Sequence, residues 1–221
     1  MKARVITLLD DHYSTEVAER CIASANIPVE MFMAVTPDEA KGYMANYDLE
    51  WTWGAGYKGM IHKPYGGDHW SRVACFLSHY LLWLQCARGD SDYLILEHDA
   101  VFVRPFVPFR FKAICMINDP LGATPRGDWW AEQMHRRGPG VHNKTRIFDD
   151  ARPDGLAGGS AYVIKPKAAK ALVKLVDKIG AWPNDAIICR QLVNNLQEHY
   201  PFITEVQDSQ STIRRKQCQK N

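Results

Sequence analysis

The sequence predicts an α/β fold in which helices flank a mostly parallel central sheet. Residues 93–96 form an apolar run without polar alternation, which is typical of a strand buried on both faces. The first 35 residues show a strand–helix–strand pattern, which implies a right-handed parallel crossover. Residues 161–179 then give another short strand that is followed at once by an amphipathic helix.

Local signals place the N-terminal elements. Residues 4–9 are apolar and rich in β-formers, and they predict the first strand. Ser14 is the predicted N-cap of a helix. The buried face of that helix consists of apolar residues at helical spacing: Val17, Ala18, Cys21, Ile22 and Ala25. Pro28 precedes the second predicted strand, at 29–35.

The rest of the chain continues the alternation of strands and helices. The further predicted strands are short apolar runs at 93–96, 113–117 and 161–164, with an edge strand near Val206. The further predicted helices run from near Ser71 to Gly89, from Pro166 to Gly180, and from 182–185 onward with Ile188, Leu192 and Leu196 inside.

Two long segments lack periodicity, at about 48–70 and 119–158. Loops of this length are usually functional or disordered. We find no internal repeat and no linker composition, so residues 1–221 are predicted to form a single domain with a basic tail at 213–221.

Composition indicates a globular protein, with 46% apolar and 24% charged residues. The net charge of +2 predicts no strong attraction to nucleic acid or to a membrane surface. Six cysteines show no metal or redox spacing, which favours a reducing compartment. With no signal peptide and no apolar run of membrane length, we expect a cytoplasmic protein, for which peripheral membrane contact stays open.

The run at 93–96 ends in Glu97, His98 and Asp99, the most informative residues of the sequence. Open α/β sheets bind ligands at the carboxyl ends of their strands. Glu97 and Asp99 are therefore candidate ligands of one divalent cation, and carboxylate oxygens suit Mn²⁺ or Mg²⁺. The alternative interpretation is that acidic residues merely end a strand at a solvated edge.

Several segments, taken in order, match the pattern of one known family: Val5 to Leu9 with 28–35, then 75–79 (CFLSH) with Trp83, 94–100 (LILEHDA), 161–164 with 168–172, 183–185 (PND) and 211–213 (STI). Together they resemble glycosyltransferase family 25, the lipopolysaccharide-type and collagen-type sugar transferases. His98 stands where the family pattern has a second acid, which leaves metal dependence open.

The resemblance implies a single-domain glycosyltransferase-A (Rossmann-like) fold and a role in lipopolysaccharide biosynthesis. It also implies a nucleotide-sugar donor, expected to be a UDP-hexose carrying galactose or glucose, and Mn²⁺ or Mg²⁺ as cofactor. The expected acceptor is a glycan or a lipid-linked sugar, and the expected reaction inverts configuration.

The resemblance and the residue types together give candidate roles on the catalytic side. Asp99 and Glu97 are the predicted metal ligands, with Asp208 as a third, and Asp99 also counts as catalytic because the cation would offset leaving-group charge. Asp185 is the predicted general base for the acceptor hydroxyl. An acid in the first turn of a helix can instead act as a cap, and both interpretations of Asp185 stay open.

Other residues are candidates for the donor side. Ser78 and His79 lie on a mostly buried helix, where a satisfied core polar group is the alternative. Thr7, Leu8 and Asp10 follow the first strand, where this fold usually receives the base and the ribose. His98 could still ligate Mn²⁺ as a neutral imidazole.

The segment 126–146 is the predicted acceptor side, because Trp129 and Trp130 could stack on a sugar and the arginines could meet anionic groups. A solvated loop above two packed tryptophans is the alternative. The same residues, with the basic tail, allow nucleic acid as acceptor through a hydroxylated, flipped base. A non-catalytic nucleotide-sugar-binding relative is the third hypothesis.

Overall fold

A seven-stranded sheet forms the centre of the molecule, in the order β2-β1-β3-β7-β5-β8-β6. The computed structural model describes residues 1–52, 69–124, 126–148, 151–156 and 159–207. The strands are β1 (Lys2–Thr7), β2 (Glu30–Met33), β3 (Tyr93–Glu97), β4 (Ala100–Phe102), β5 (Ile114–Met116), β6 (Gly140–Asn143), β7 (Ala161–Ile164), β8 (Leu196–Tyr200) and β9 (Thr204–Val206). The helices are α1 (His12–Ser24), α2 (Pro37–Asn46), α3 (His69–Arg88), α4 (Gly127–Arg137), α5 (Pro166–Ile179) and α6 (Asn184–Ile187).

Five of the seven strands of the main sheet run in one direction. β2, β1 and β3 are mutually parallel, and β5 is parallel to β8. β7 lies antiparallel between β3 and β5, and β6 is antiparallel to β8 at the edge. The predicted α/β class is confirmed, with β7 and β6 as the reversed strands.

The strand β3 is buried on both faces, as its apolar run predicts. Ile95 belongs to the core between the sheet and the helices α2, α3 and α5, whereas Leu94 and Leu96 belong to the core on the α1 side. This alternation follows from the two-residue period of a strand. The two cores hold β3 at the middle of the fold, so its carboxyl end is a fixed point.

Two predicted helix boundaries need correction, and one helix was not predicted. Asp11, not Ser14, is the N-cap of α1: its carboxylate accepts from the Ser14 amide at 3.0 Å, and the Ser14 hydroxyl instead accepts from the Leu8 amide. The helix α2 was not predicted, although Thr36 and Glu39 form a capping box at its start. The last helix ends at Ile187, and Leu196 begins the strand β8.

The segment predicted to be irregular at 119–158 contains the helix α4 and the strand β6. Trp130 and Met134, four residues apart on α4, are buried and give it a packed face. β6 extends the sheet by pairing with β8. Among the described helices, none is both long and apolar enough to cross a bilayer.

Candidate active site

The site is built where the carboxyl end of β3 meets the helix α3. Ile95 and Glu97 point to the same face of the sheet because they are two residues apart. Tyr162 of β7 lies directly opposite Ile95, so its side chain stands on that face beside Glu97. His79 and Trp83, four residues apart, face the sheet from one side of α3.

These residues form a continuous hydrogen-bond series. The indole N–H of Trp83 donates to the Tyr162 hydroxyl at 2.8 Å. The same hydroxyl lies 2.9 Å from Nδ1 of His79, and Nε2 of His79 lies 3.1 Å from Oε1 of Glu97. The first three side chains are fully buried, and 23% of the Glu97 side chain is exposed. Glu97 is therefore the member of the series that is partly exposed at the pocket.

Asp99 is the second acid of the site, in the turn after β3. Its Oδ1 is enclosed and has no hydrogen-bond partner among the described residues. Burial, and then the nearby Glu97 carboxylate, raise the pKa of Asp99 to about 7. A buried, unsatisfied carboxylate oxygen beside a second acid is the environment that a bound cation relieves.

The backbone around Asp99 is held by Gln207, a residue that sequence reasoning missed. The Gln207 amide donates to the Asp99 carbonyl at 2.7 Å, and its side-chain amide donates to the carbonyls of Val17 and Ala100 at 3.0 and 3.1 Å. No local pattern marks Gln207, because its partners come from the distant helix α1 and strand β4.

A pocket of about 130 Å³ opens at the carboxyl edge of the three parallel strands, with room for a cation and its water ligands. Its lining comes from the end of β1 and the turn after it, from the connection between β2 and α2, from α3, and from the end of β3 with the turn that follows. The lining residues are Ile6, Leu8, Ala34, Val35, Pro37, Ser71, Ala74, Cys75, Ser78, His79, Glu97, His98 and Asp99. The structure thus brings together six predicted site residues: Leu8, Ser78, His79, Glu97, His98 and Asp99.

Two predicted donor-side residues do not line this pocket. Thr7 is buried and follows Ile6, so its side chain points to the opposite face of the sheet. Asp10 is exposed in the turn before α1. Ser78 lines the pocket, but its hydroxyl donates to the Ala74 carbonyl at 2.8 Å and accepts from the Val35 amide at 2.9 Å, as a satisfied core group does.

Cys75 is a further pocket residue that the sequence analysis did not single out. Its sulfur and the ligand atoms of His79 and Glu97 lie within 4.8 Å of one another. Burial, followed by the charges of Glu97, Asp185 and Asp99, raises the pKa of the Cys75 thiol well above its ordinary value. Cys75 therefore remains a thiol, which donates to Oδ1 of Asn184 at 3.5 Å. The oxygens of Glu97 and Asp99 are better suited to a hard cation such as Mn²⁺ or Mg²⁺.

Asp185 lies close enough to this cluster for its charge to act on the Cys75 thiol. It is half-buried in the first turn of α6, and the N-cap residue there is Pro183, whose side chain cannot accept a hydrogen bond. Gly155 packs against this turn, where a Cβ would overlap the Asp185 carbonyl oxygen. The backbone of Asp185 is therefore fixed by a close approach that only glycine allows.

Comparison with known proteins decides the family. A model described as glycosyltransferase family 25 (LPS biosynthesis protein) matches residues 2–113, just over half of the chain. The chain belongs to glycosyltransferase family 25. The matched part of this family 25 glycosyltransferase includes β1, α3 and β3, and with them His79, Glu97 and Asp99.

Other comparisons add less. Among solved structures, mouse xyloside xylosyltransferase 1 in its apo form is similar with 10% sequence identity and a TM-score of 0.38, over 85% of this chain and 80% of that one. No curated protein matches the transferase.

The predicted acceptor segment of the transferase differs from expectation at Trp130 and at Lys144. Trp130 is buried, and its indole N–H donates to Oε1 of Glu198 at 2.9 Å. Lys144 is also buried, with 1% of its side chain exposed and its ammonium 3.2 Å from Asp154 and 3.5 Å from Glu198. Neither residue is available to an acceptor, because both belong to an internal ionic cluster.

Most other basic side chains of this segment also make internal contacts. Arg126 donates to the Ile147 carbonyl, Arg136 pairs with Glu132, Arg137 donates to the Asn143 carbonyl, and His142 contacts the Gly138 carbonyl. Trp129 keeps 43% of its surface exposed and is the remaining aromatic candidate. The described residues therefore give no support to nucleic acid as the acceptor.

Three predicted features lie outside the described residues. These are Asp208 as a third metal ligand, the motif at 211–213 with the basic tail, and most of the loop at 48–70.

Proposed function

We propose that this family 25 enzyme transfers galactose or glucose from a UDP-sugar to a hydroxyl group of a glycan or lipid-linked acceptor, with inversion and with the help of Mn²⁺ or Mg²⁺. The observation that carries this proposal is the enclosed Oδ1 of Asp99, unsatisfied among the described residues and beside Glu97 at the pocket.

The two acids supply a suitable ligand set. Oε1 of Glu97 is engaged by His79, which leaves its second oxygen to face a cation together with Oδ1 of Asp99. A divalent cation bound there would offset the negative charge that develops on the leaving diphosphate. Few protein ligands suffice, because Mg²⁺ and similar ions are commonly completed by substrate phosphates and water.

Asp185 is the proposed general base. It is half-buried and does not itself line the pocket, but it lies close enough for its charge to act on the thiol of Cys75, which does. Its carboxylate would accept the acceptor hydroxyl's proton as the oxygen attacks the anomeric carbon and the bond to the diphosphate breaks. The close packing of Gly155 against the Asp185 carbonyl holds the backbone that carries this carboxylate.

A thermal-shift screen tests the donor and the metal together. We expect UDP-galactose or UDP-glucose to raise the melting temperature by several degrees with Mn²⁺ present and much less with EDTA, because a ligand that binds only the folded state stabilises it by mass action. Slow, Mn²⁺-dependent hydrolysis of the same donor would accompany this shift. If no UDP-hexose shifts the transition in either condition, the proposed donor class is wrong.

Replacing Asp185 by Asn separates the base from the cap interpretation. We expect turnover to fall about 100-fold with little change in the melting temperature, because a positioned base contributes roughly 10²–10⁴-fold. Initial rates at saturating donor and acceptor measure this. Asp128→Asn is the matched control, since Asp128 is an exposed acid in the first turn of α4. A variant Asp185→Asn that melts lower and turns over normally would establish the cap instead.

A further inference from the structure

The hydrogen-bond series from Trp83 to Glu97 has a direction that the chemistry of its members dictates. An indole nitrogen can only donate, so Trp83 donates to the oxygen of Tyr162. The hydroxyl proton of Tyr162 must then go to another acceptor, and Nδ1 of His79 lies 2.9 Å away. Burial raises the pKa of Tyr162 well above its ordinary value, so the hydroxyl keeps this proton.

This direction fixes the state of the imidazole. If Nδ1 accepts from Tyr162, the ring proton of His79 is on Nε2, which lies 3.1 Å from Oε1 of Glu97 and donates to it. The opposite tautomer would point the Nε2 lone pair at a carboxylate oxygen. It would also leave the buried Tyr162 hydroxyl with two incoming donors, and its own proton would have no acceptor within the series.

We propose that Tyr162 and Trp83 are positioning residues, which hold His79 with Nδ1 as acceptor and a proton on Nε2, so that His79 fixes the Glu97 carboxylate for a divalent cation. The last step rests on the proposed metal-assisted function. Outer hydrogen bonds of this kind orient metal ligands, and their loss commonly costs 10–100-fold in metal affinity.

The first experiment needs neither metal nor substrate. Ring-nitrogen NMR of metal-free, ¹⁵N-histidine-labelled protein, with His79 assigned through the variant His79→Gln, is expected to show the proton on Nε2. In Tyr162→Phe we expect the proton distribution over the His79 ring to change, because the donor to Nδ1 is gone. A wild-type His79 protonated on Nδ1, or a pattern unaffected by Tyr162→Phe, would overturn the proposal.

The second experiment measures Mn²⁺ affinity by EPR titration. Tyr162→Phe is expected to bind Mn²⁺ about 10–100-fold more weakly. The matched control is Tyr80→Phe. Tyr80 is also buried on this side of the sheet, and its ring stacks on that of Phe76 with the ring centres 5.6 Å apart. We expect this control to bind within about twofold of wild type, since the Tyr80 hydroxyl is outside the series.

A third variant separates positioning from packing. Trp83→Phe removes more volume than Tyr162→Phe, so it should lower the melting temperature more. It should nevertheless weaken Mn²⁺ binding less, because Tyr162 can still donate to His79. If Mn²⁺ affinity instead follows the loss of stability, or if Tyr162→Phe binds as tightly as wild type, the positioning role is wrong. A wild-type protein that binds neither Mn²⁺ nor a UDP-sugar would overturn the proposed function, and the NMR result would still decide the tautomer.

Discussion

Replacing Asp99 by Asn is expected to abolish transfer and, at the same time, to raise the melting temperature of the metal-free protein. The loss of transfer follows from removal of a proposed ligand, and we expect it to exceed about 10³-fold. The gain in stability follows from the cost of keeping a charged carboxylate oxygen enclosed beside Glu97.

The sign of the pH dependence follows from the raised pKa. In the folded, metal-free protein the pKa of Asp99 is about 7, compared with an ordinary value of 3.8. The folded state therefore binds a proton that the unfolded state has released, and Asp99 lowers stability as pH rises between these two values. Above about pH 7 the full penalty applies, which we put at about 2 kcal/mol because part of the residue is solvated. The variant Asp99→Asn lacks this penalty, and the gain corresponds to about 5 °C for a chain of this size.

Thermal denaturation in EDTA at about pH 5 and about pH 8 measures this effect. The difference in melting temperature between Asp99→Asn and wild type should be larger at the higher pH. Asp92→Asn is the control, because Asp92 precedes the same strand, is half-buried and pairs with Lys165. It should change the melting temperature little at either pH. A lower melting temperature for Asp99→Asn at the higher pH, or normal transfer, would contradict the role assigned to Asp99.

The fold was predictable where one local pattern determines an element. The strand β3 needs only its apolar run, because burial on both faces requires apolar residues at every position. The last helix was wrongly extended because Ile188, Leu192 and Leu196 have helical spacing. A bridge between Gly155 and Cys189 and the bond from the Arg190 amide to the Asp154 carbonyl hold that segment in turns instead. These contacts join distant segments and leave no local signal.

The candidate site was likewise predictable only where a local pattern marks its residues. Glu97 and Asp99 were predicted because both follow one strand. Tyr162 is 83 positions from His79 and 79 positions from Trp83 in the sequence. The sequence therefore shows that these side chains exist but does not indicate that they are in contact. Lys144 lies in the basic segment that was predicted to be the acceptor side, but it is buried, which is rare for lysine unless it is paired. Its partners Asp154 and Glu198 lie in other elements, and no local pattern indicates them.

Replacing Lys144 by Met is expected to cost about 3–5 kcal/mol of folding free energy, which is about 10 °C or more in melting temperature. The Lys144 ammonium lies between the side chains of Asp154 and Glu198, each no more than 1% exposed, and 3.8 Å from the centre of the Trp130 ring. Burial lowers the pKa of Lys144, and the two carboxylates oppose this. Methionine preserves most of the side-chain volume. The loss of folding free energy therefore measures the cost of leaving two buried carboxylates with too little positive charge.

Two further variants decide whether the loss is electrostatic. Lys165→Met removes a similar pair, since Lys165 lies 3.5 Å from Asp92 and 4.5 Å from the Phe111 ring, but about a third of each charged side chain is exposed. We expect this change to cost less than about 1 kcal/mol by chemical denaturation. Adding Glu198→Gln to Lys144→Met removes one uncompensated charge, so the double variant should lose clearly less than the sum of the two single changes. Strict additivity, or an equal loss for Lys165→Met, would mean that packing and not charge explains the role of Lys144.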